Sequence, residues 1–187
     1  MAGMWVFWVI IAVIVIVVFW FIAIYNRFVV LRNRIQGSWA QVDVQLKKRY
    51  DLVPNLVETV KGYAKHEREV FERVTEARSK AISAQTVADQ GEAENLLTGA
   101  LKSLFAVAEA YPDLKANQNF LQLQEELASI ENKIAYARQH YNDVVLAFNT
   151  TRQRFPENIV AGIMALTPAD YFEIEEAARE APKVSFT

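Results

Sequence analysis

The sequence predicts an all-α protein in which an N-terminal transmembrane helix continues into an elongated antiparallel helical bundle. Two observations predict this class. Residues 5–24 are twenty consecutive apolar residues, and as a helix they would span about 30 Å, which matches the hydrocarbon thickness of a bilayer. After them, apolar residues recur at spacings of three and four, the period of a helix packed along one face. We find no run with the strict alternation and turn residues that would indicate a β-hairpin.

The apolar run is interpreted as a retained membrane anchor. A secretory signal would need a basic residue before a shorter apolar core, followed by a small-residue cleavage site, and the sequence has none of these. A buried helix of a soluble protein would have a polar face, which this run lacks. Trp5, Trp8, Trp20 and Tyr25 lie toward the two ends of the run, where aromatic residues sit at membrane interfaces.

The charges beside the anchor predict its orientation. Arg27, Arg32 and Arg34 follow the run at once, whereas residues 1–26 contain no Lys or Arg. The positive-inside rule therefore predicts a single-pass protein of the cell (inner) membrane, with its N-terminus outside and its C-terminal domain in the cytoplasm. The absence of cysteine suits a cytoplasmic domain.

Three parts are expected along the chain. They are a transmembrane anchor over residues 1–25, a helical bundle over residues 26–155, and C-terminal short helices with an acidic tail over residues 156–187 that pack on the bundle. A chain of this length supports one extramembrane domain rather than several.

Four apolar stripes predict the helices of the bundle. The most regular one alternates spacings of three and four without a break, as in a helical bundle or coiled coil. Its members are Phe120, Leu123, Leu127, Ile130, Ile134, Ala137, Tyr141, Val144 and Phe148. The other three stripes run over residues 28–53, 56–81 and 97–111.

Proline and glycine suggest where these helices end. Pro54 is expected either to kink the first helix or to open the second, because it lacks an amide donor. Asp89-Gln90-Gly91 is the expected tight connection before the third helix. Pro112 is expected to interrupt the third helix, with Asp113 as a possible cap.

Three prolines divide the C-terminal part. Pro156, Pro168 and Pro182 separate a short apolar helix over residues 159–166, an acidic amphipathic stretch over residues 170–180, and an extended end.

The sequence predicts no catalytic, cofactor-binding or metal-binding residue. The chain has no cysteine, and neither His66 nor His140 is part of the Glu-x-x-His motif of di-metal carboxylate bundles, so both are expected at the surface. We find no phosphate-binding loop of the Gly-Lys-Ser/Thr type and no Gly-x-Ser-x-Gly motif. A net charge of −2 argues against nucleic-acid binding. We therefore expect a protein that is not an enzyme and that uses no cofactor, no small-molecule substrate and no nucleic acid.

Charge is distributed unevenly outside the anchor. Residues 26–53 carry six basic and two acidic residues, a net of +4, and residues 156–187 carry six acidic and two basic residues, a net of −4. These segments either contact each other or remain two solvated faces. The densest basic cluster is Lys47, Lys48 and Arg49. On a continuous helix it would lie about 33 Å beyond the interface, too far for contact with lipid headgroups.

Self-association is expected to involve the domain rather than the anchor. The anchor has no pair of small residues four apart and no polar side chain between Trp5 and Ile24. A homo-oligomer would then form between the +4 and −4 segments, with Tyr171, Phe172 and Ile174 supplying apolar contact.

Several motifs at fixed spacing resemble the LemA family of bacterial membrane-anchored proteins. They are Tyr25-Asn26, Leu31-Arg32-Asn33, the segment WAQVDVQLKKRYDLVPNLVETVKGYAKHE over residues 39–67, and residues 168–172 with the Glu that follows. The resemblance implies one N-terminal span and a helical-bundle domain, and it brings no catalytic residue. It also implies an accessory or scaffold role, which in some members is associated with membrane proteases or stress and in others with the formation of membrane-bound organelles.

Polar residues of this motif have two possible roles. Asp43, Lys47, Asp51, Asn55 and Lys61 bracket Pro54, where they would either complete the backbone hydrogen bonds of a helix corner or form a docking surface.

The functional hypothesis is a non-enzymatic membrane-anchored helical scaffold or accessory protein. It would contact the lipid bilayer and self-assemble or dock a partner such as a membrane protein. The alternative is a regulatory subunit of a membrane protease or signalling system.

Overall fold

The computed structural model describes residues 2–173, and over that range it contains helices and no strand. The elements are α1 (Ala2–Lys61), α2 (Arg68–Ser83), α3 (Val87–Glu109), α4 (Pro112–Lys115), α5 (Gln118–Gln153) and α6 (Glu157–Ile163). The prediction of an all-α fold is confirmed. The predictions for Ile174, for the rest of the acidic stretch and for the extended end concern residues outside the described range.

Helix α1 runs without interruption from the apolar segment into the domain. Its first part is long and apolar enough to cross a membrane, judged by length and composition, and its side chains are largely exposed. Pro54 lies inside the helix, which continues to Lys61, so Pro54 does not open a second helix. Val53, Leu56 and Val57 around it are buried. We attribute the continuation to this burial, which offsets the hydrogen bond that proline cannot donate.

The stripe over residues 56–81 suggests one helix, but the first turn of the chain falls inside this range. Helix α1 ends at Lys61, and α2 begins at Arg68 after the turn that contains Gly62. The stripe continues across the turn because Val60, Ala64 and Val70 all face the same core, so helical spacing alone conceals the break.

The predicted connection at Asp89-Gln90-Gly91 is wrong. These residues lie in the first turns of α3, and the connection is the short segment after Ser83. Thr86 caps α3, since its hydroxyl accepts a hydrogen bond from the backbone N–H of Asp89 at 3.1 Å.

The predicted interruption of the third helix near Pro112 is present. Helix α3 ends at Glu109, and Pro112 occupies the first turn of α4. The side-chain cap nearby belongs to Asn117 rather than Asp113, because Asn117 accepts a hydrogen bond from the N–H of Phe120 at 3.1 Å.

The core is formed by α1 paired with α5, and by the α2–α3 hairpin packed against the distal part of α1. The α5 stripe lies at these interfaces, as predicted, with one difference: Val145 is fully buried, whereas Val144 is only partly buried. The buried members of the predicted stripe are Phe120, Leu127, Ile130, Ile134, Tyr141 and Phe148.

After α6, the chain turns back along α5, away from the anchor. We call residues 168–173 the strap. Asn149 forms two hydrogen bonds of 2.9 Å with the backbone of Ala169, and Asn142 forms two, of 3.1 and 2.9 Å, with the backbone of Phe172. The spacing of the two asparagines matches the spacing of their backbone partners. The seven residues from Asn142 to Asn149 rise about 10.5 Å along the helix, and the three residues from Ala169 to Phe172 span about 10 Å when extended. The two asparagines therefore hold the strap through its backbone alone.

Phe172 anchors the strap in the core. Its ring lies 5.4 Å from that of Trp39 in an edge-to-face arrangement, and Trp39 also contacts Tyr141 at 5.2 Å. Phe172 is buried within its own chain. It is thus not free to supply the apolar contact between copies that the sequence suggested.

Candidate functional site

Arg49 forms the centre of a buried charge network. It lies on the core face of α1, with only 2% of its side chain exposed. Its Nη1 lies 2.5 Å from Oε2 of Glu94, which is fully buried on α3. Its Nη2 lies 2.9 Å from Oγ1 of Thr98 and 2.8 Å from Oε1 of Glu131 on α5. One guanidinium therefore connects three helices.

Tyr50 and Gln90 extend the network to α2. The Tyr50 hydroxyl donates a short hydrogen bond to Oε1 of Glu94. Nε2 of Gln90 lies 2.8 Å from the Tyr50 hydroxyl and donates to the carbonyl of Ala81 at 3.1 Å. Burying such groups costs free energy unless they are paired, so this set of hydrogen bonds favours one alignment of the four helices.

Burial shifts the titration of two groups in the network. Desolvation raises the pKa of Glu131, the nearby Glu94 raises it further, and Arg49 opposes the shift. Desolvation and the carboxylate of Glu94 likewise raise the pKa of Tyr50 well above its usual value. Tyr50 consequently remains a hydrogen-bond donor at physiological pH.

A groove of about 350 Å³ lies between α3 and α5, with Arg49 at its floor. Its apolar walls include Leu101 and Phe105 of α3 and Leu127 of α5, while Lys102 adds a charge. The Nε atom of Arg49 is buried and has no hydrogen-bond partner in the described part of the chain. The groove thus combines apolar walls with charged side chains.

The Lys47, Lys48 and Arg49 cluster is divided by the helix. Lys47 and Lys48 are exposed, whereas Arg49 is buried, so the three residues do not share one surface. The stripe over residues 28–53 contained the signal for this. It passes from Leu46 to Val53 through Arg49 and Tyr50, which occupy the intervening helical position. Arg49 therefore lies on the apolar face of the helix, where a charged side chain needs a buried partner.

The corner expected at Pro54 does not exist, because α1 continues through it. Asp43, Lys47, Asp51 and Asn55 instead form an exposed row on α1 at spacings of four, and Lys61 is exposed at its end. A role for this row in docking stays a prediction.

An ion pair joins the two segments of opposite charge. Nη1 of Arg27 lies 3.0 Å from Oε1 of Glu157 at the start of α6. His66 and His140 are exposed, on the turn after α1 and on α5 respectively. Within residues 2–173, no group of three His, Asp or Glu side chains is arranged to hold a metal ion.

The model of the LemA family matches residues 38–186, most of the chain. The chain belongs to the LemA family. The matched range includes α1 from Ser38 onward, the Arg49 network and the strap.

Relatives within the LemA family include proteins with different names. Protein LemA of Metamycoplasma hominis is 26% identical over 92% of this chain and 80% of its own length. Magnetosome protein MamQ 2 of Paramagnetospirillum magneticum is 25% identical, and magnetosome protein MamQ of Magnetospirillum gryphiswaldense is 22% identical, each over 86% of this chain and 68% of its own length. LemA family membership and the apolar helix fit a membrane-associated helical protein.

Proposed function

We propose that this protein is a non-enzymatic membrane-anchored scaffold or accessory protein, which self-assembles or docks a partner through its helical domain. The observation that carries the proposal is the continuity of α1. The same helix contains the apolar anchor and, in Val42, Leu46 and Val53, part of the domain core. Because no flexible linker separates them, the domain keeps a fixed height and direction relative to the anchor, as a scaffold requires.

We assign docking to the groove between α3 and α5, with a second copy of the chain as the occupant. The Arg49 network immobilises the floor of the groove, so binding there costs little ordering of the domain. Because all copies have anchors of equal length, their grooves lie at equal height above one membrane. This geometry favours contact between copies.

The alternative function is that of a regulatory subunit of a membrane protease or signalling system. The groove between α3 and α5 favours it as well, because a segment of a different protein would fit between its apolar walls.

The mass of the full-length protein after mild detergent extraction tests the proposal. One chain has a mass of 21.3 kDa, so self-assembly gives multiples of this value after subtraction of the detergent. Ala128→Arg fills the groove from an exposed position on α5, and Ser129→Arg places the same charge beside the groove as a matched control. We expect the first variant to reduce the oligomer and the second to leave it intact.

The outcomes separate the candidates. A monomer that co-purifies with one other protein, and loses it only in the Ala128→Arg variant, would favour the regulatory subunit. A monomer without any partner, extracted from cells that express the protein at its natural level, would contradict both functions.

A further inference from the structure

Three large apolar side chains remain exposed beside α6. Phe155 is 76% exposed, Ile159 51% and Ile163 68%. They are spaced four residues apart, whereas Val160 and Ala161 between them are buried against the rest of the chain. We call these three residues the α6 surface. An apolar patch of this kind on a protein surface usually marks an interaction site.

The α6 surface lies level with the end of the membrane anchor. Val160 and Ala161 pack in one cluster with Ile24 and Phe28 of α1, and Phe21 lies against the same cluster. Ile24 is the last residue of the apolar run. The pair of Arg27 with Glu157 fixes the first residue of α6 at the same level.

The geometry of α5 places the end of that helix at the same height. The rings of Phe28 and Phe148 are 6.1 Å apart, which sets α1 and α5 side by side at these residues. Gln153 ends α5 five residues later, about 7.5 Å closer to the anchor. Phe155 and α6 therefore follow at the level where the apolar run meets Tyr25 and Arg27.

We propose that the α6 surface is a second membrane contact, at which its apolar side chains enter the boundary between lipid headgroups and acyl chains. The occupant is the bilayer that holds the anchor, so the inference rests on the proposed membrane anchorage. Interfacial helices bind in this way, with apolar side chains toward the acyl chains and basic residues among the headgroups. Exposed Arg154, directly before Phe155, supplies such a basic residue.

A contact of this kind changes what the anchor alone can do. One helix in a bilayer can tilt and rotate about its axis. A second contact on one side of α1 fixes both the tilt and the rotation of the domain. The faces of the bundle then have defined directions relative to the membrane plane.

Nitroxide labels on single cysteines test the proposal, since the chain has no cysteine of its own. Full-length variants Ile159→Cys and Ile163→Cys are reconstituted in vesicles of phosphatidylcholine and phosphatidylglycerol. Ile82→Cys is the matched control: Ile82 is 53% exposed, close to the value for Ile159. The contact of Arg78 with the Tyr50 carbonyl puts this part of α2 far from the anchor, roughly 30 Å along α1.

At residues 159 and 163 we expect lipid-soluble oxygen to relax the label more strongly than an aqueous nickel complex does. At residue 82 we expect the reverse, with several-fold greater access for nickel. Ile159→Glu should restore nickel access at residue 163 without loss of helix content, because Ile159 is exposed.

Nickel access at residues 159 and 163 equal to that at residue 82 would overturn the inference. Protection that disappears when the protein is diluted within the vesicles would also overturn it, because a second copy rather than lipid would then cover α6. A label at Ile14, within the apolar run, distinguishes the two levels of failure. Lipid access at residue 14 with aqueous access at residue 159 removes only this inference, whereas aqueous access at residue 14 removes the anchorage as well.

Discussion

Arg49 and Glu94 occupy positions at which apolar side chains would ordinarily pack. Both are buried, and each has the other as its nearest opposite charge, at 2.5 Å. A buried ion pair adds little stability compared with well-packed apolar residues, but loss of one member leaves an uncompensated charge. The pair is therefore better understood as a device that selects one helix alignment than as a source of stability.

The variant Arg49→Met should lower the free energy of unfolding by about 3–5 kcal/mol, because Glu94 would remain buried without its partner. The double variant Arg49→Met with Glu94→Leu should be less destabilised than Arg49→Met alone. Denaturant unfolding of the full-length protein in detergent, followed by circular dichroism, measures both. Lys48→Met is the control, since Lys48 is exposed and its replacement should cost under about 0.5 kcal/mol. Equal costs for Arg49→Met and Lys48→Met would contradict the buried pair.

The raised pKa of Glu131 predicts that stability depends on pH. Its pKa is raised in the folded protein, so folding favours the protonated carboxyl. This contribution is fully present below the unfolded pKa of Glu, about 4.3, and is lost as the pH rises through the raised folded value. The stability of Glu131→Gln relative to the original protein should therefore increase as the pH rises over the range above about pH 4. Unfolding midpoints across this range measure the difference, and a difference that stays constant would refute the assignment.

At the scale of elements, the strap and α3 meet closely at Gly91. A Cβ atom added at this position would lie 2.4 Å from the carbonyl oxygen of Glu173, at the end of the strap. This separation is too short for a nonbonded contact, so only glycine fits here without displacement. Gly91 thus marks the approach of a second backbone rather than a turn.

Gly91→Ala should consequently displace the end of the strap and destabilise the domain, although alanine is the better helix former. Gly99→Ala on the same helix is the matched control, because nothing lies within 4 Å of its added Cβ. This second change should stabilise the protein by up to about 1 kcal/mol. Thermal unfolding shows whether each variant is more or less stable than the original protein, and hydrogen exchange of residues 168–173 reports release of the strap. Equal stabilisation by both changes would show that the strap does not approach α3.

The elements most open to prediction were those with an uninterrupted pattern. Helix α5 was predictable because its core side chains are apolar and follow its period from Phe120 to Phe148. The turn after Lys61 was not, because residues on both sides of it face one core. Arg49 and Glu94 are charged residues of the kind that usually lies at the surface, yet both are buried. The local sequence pattern alone therefore assigns them wrongly. The strap depends on Asn142 and Asn149 meeting a distant backbone, a long-range contact without a sequence period.

For the whole molecule, the question is on which side of the membrane the domain lies. Arg27, Arg32 and Arg34 follow the anchor, and the first 26 residues carry no basic side chain. A tag placed after Thr187 should therefore resist protease added to intact cells and be cleaved once the membrane is opened. Cleavage of the tag in sealed cells would reverse the predicted orientation.

The unbroken helix from anchor to tip also acts as a ruler. From Tyr25 to Lys61, α1 rises about 54 Å, and Arg49 lies about 36 Å along this length. A domain on a flexible linker would sample many distances from the anchor, whereas the continuous helix keeps the groove at a fixed distance along α1 from the end of the anchor. If the groove docks a second copy as proposed, a target lying flat on the bilayer would be out of its reach, whereas a neighbouring copy would present the same features at the same height. The height of a partner above the membrane would then decide whether it can reach the groove, before any side-chain contact forms.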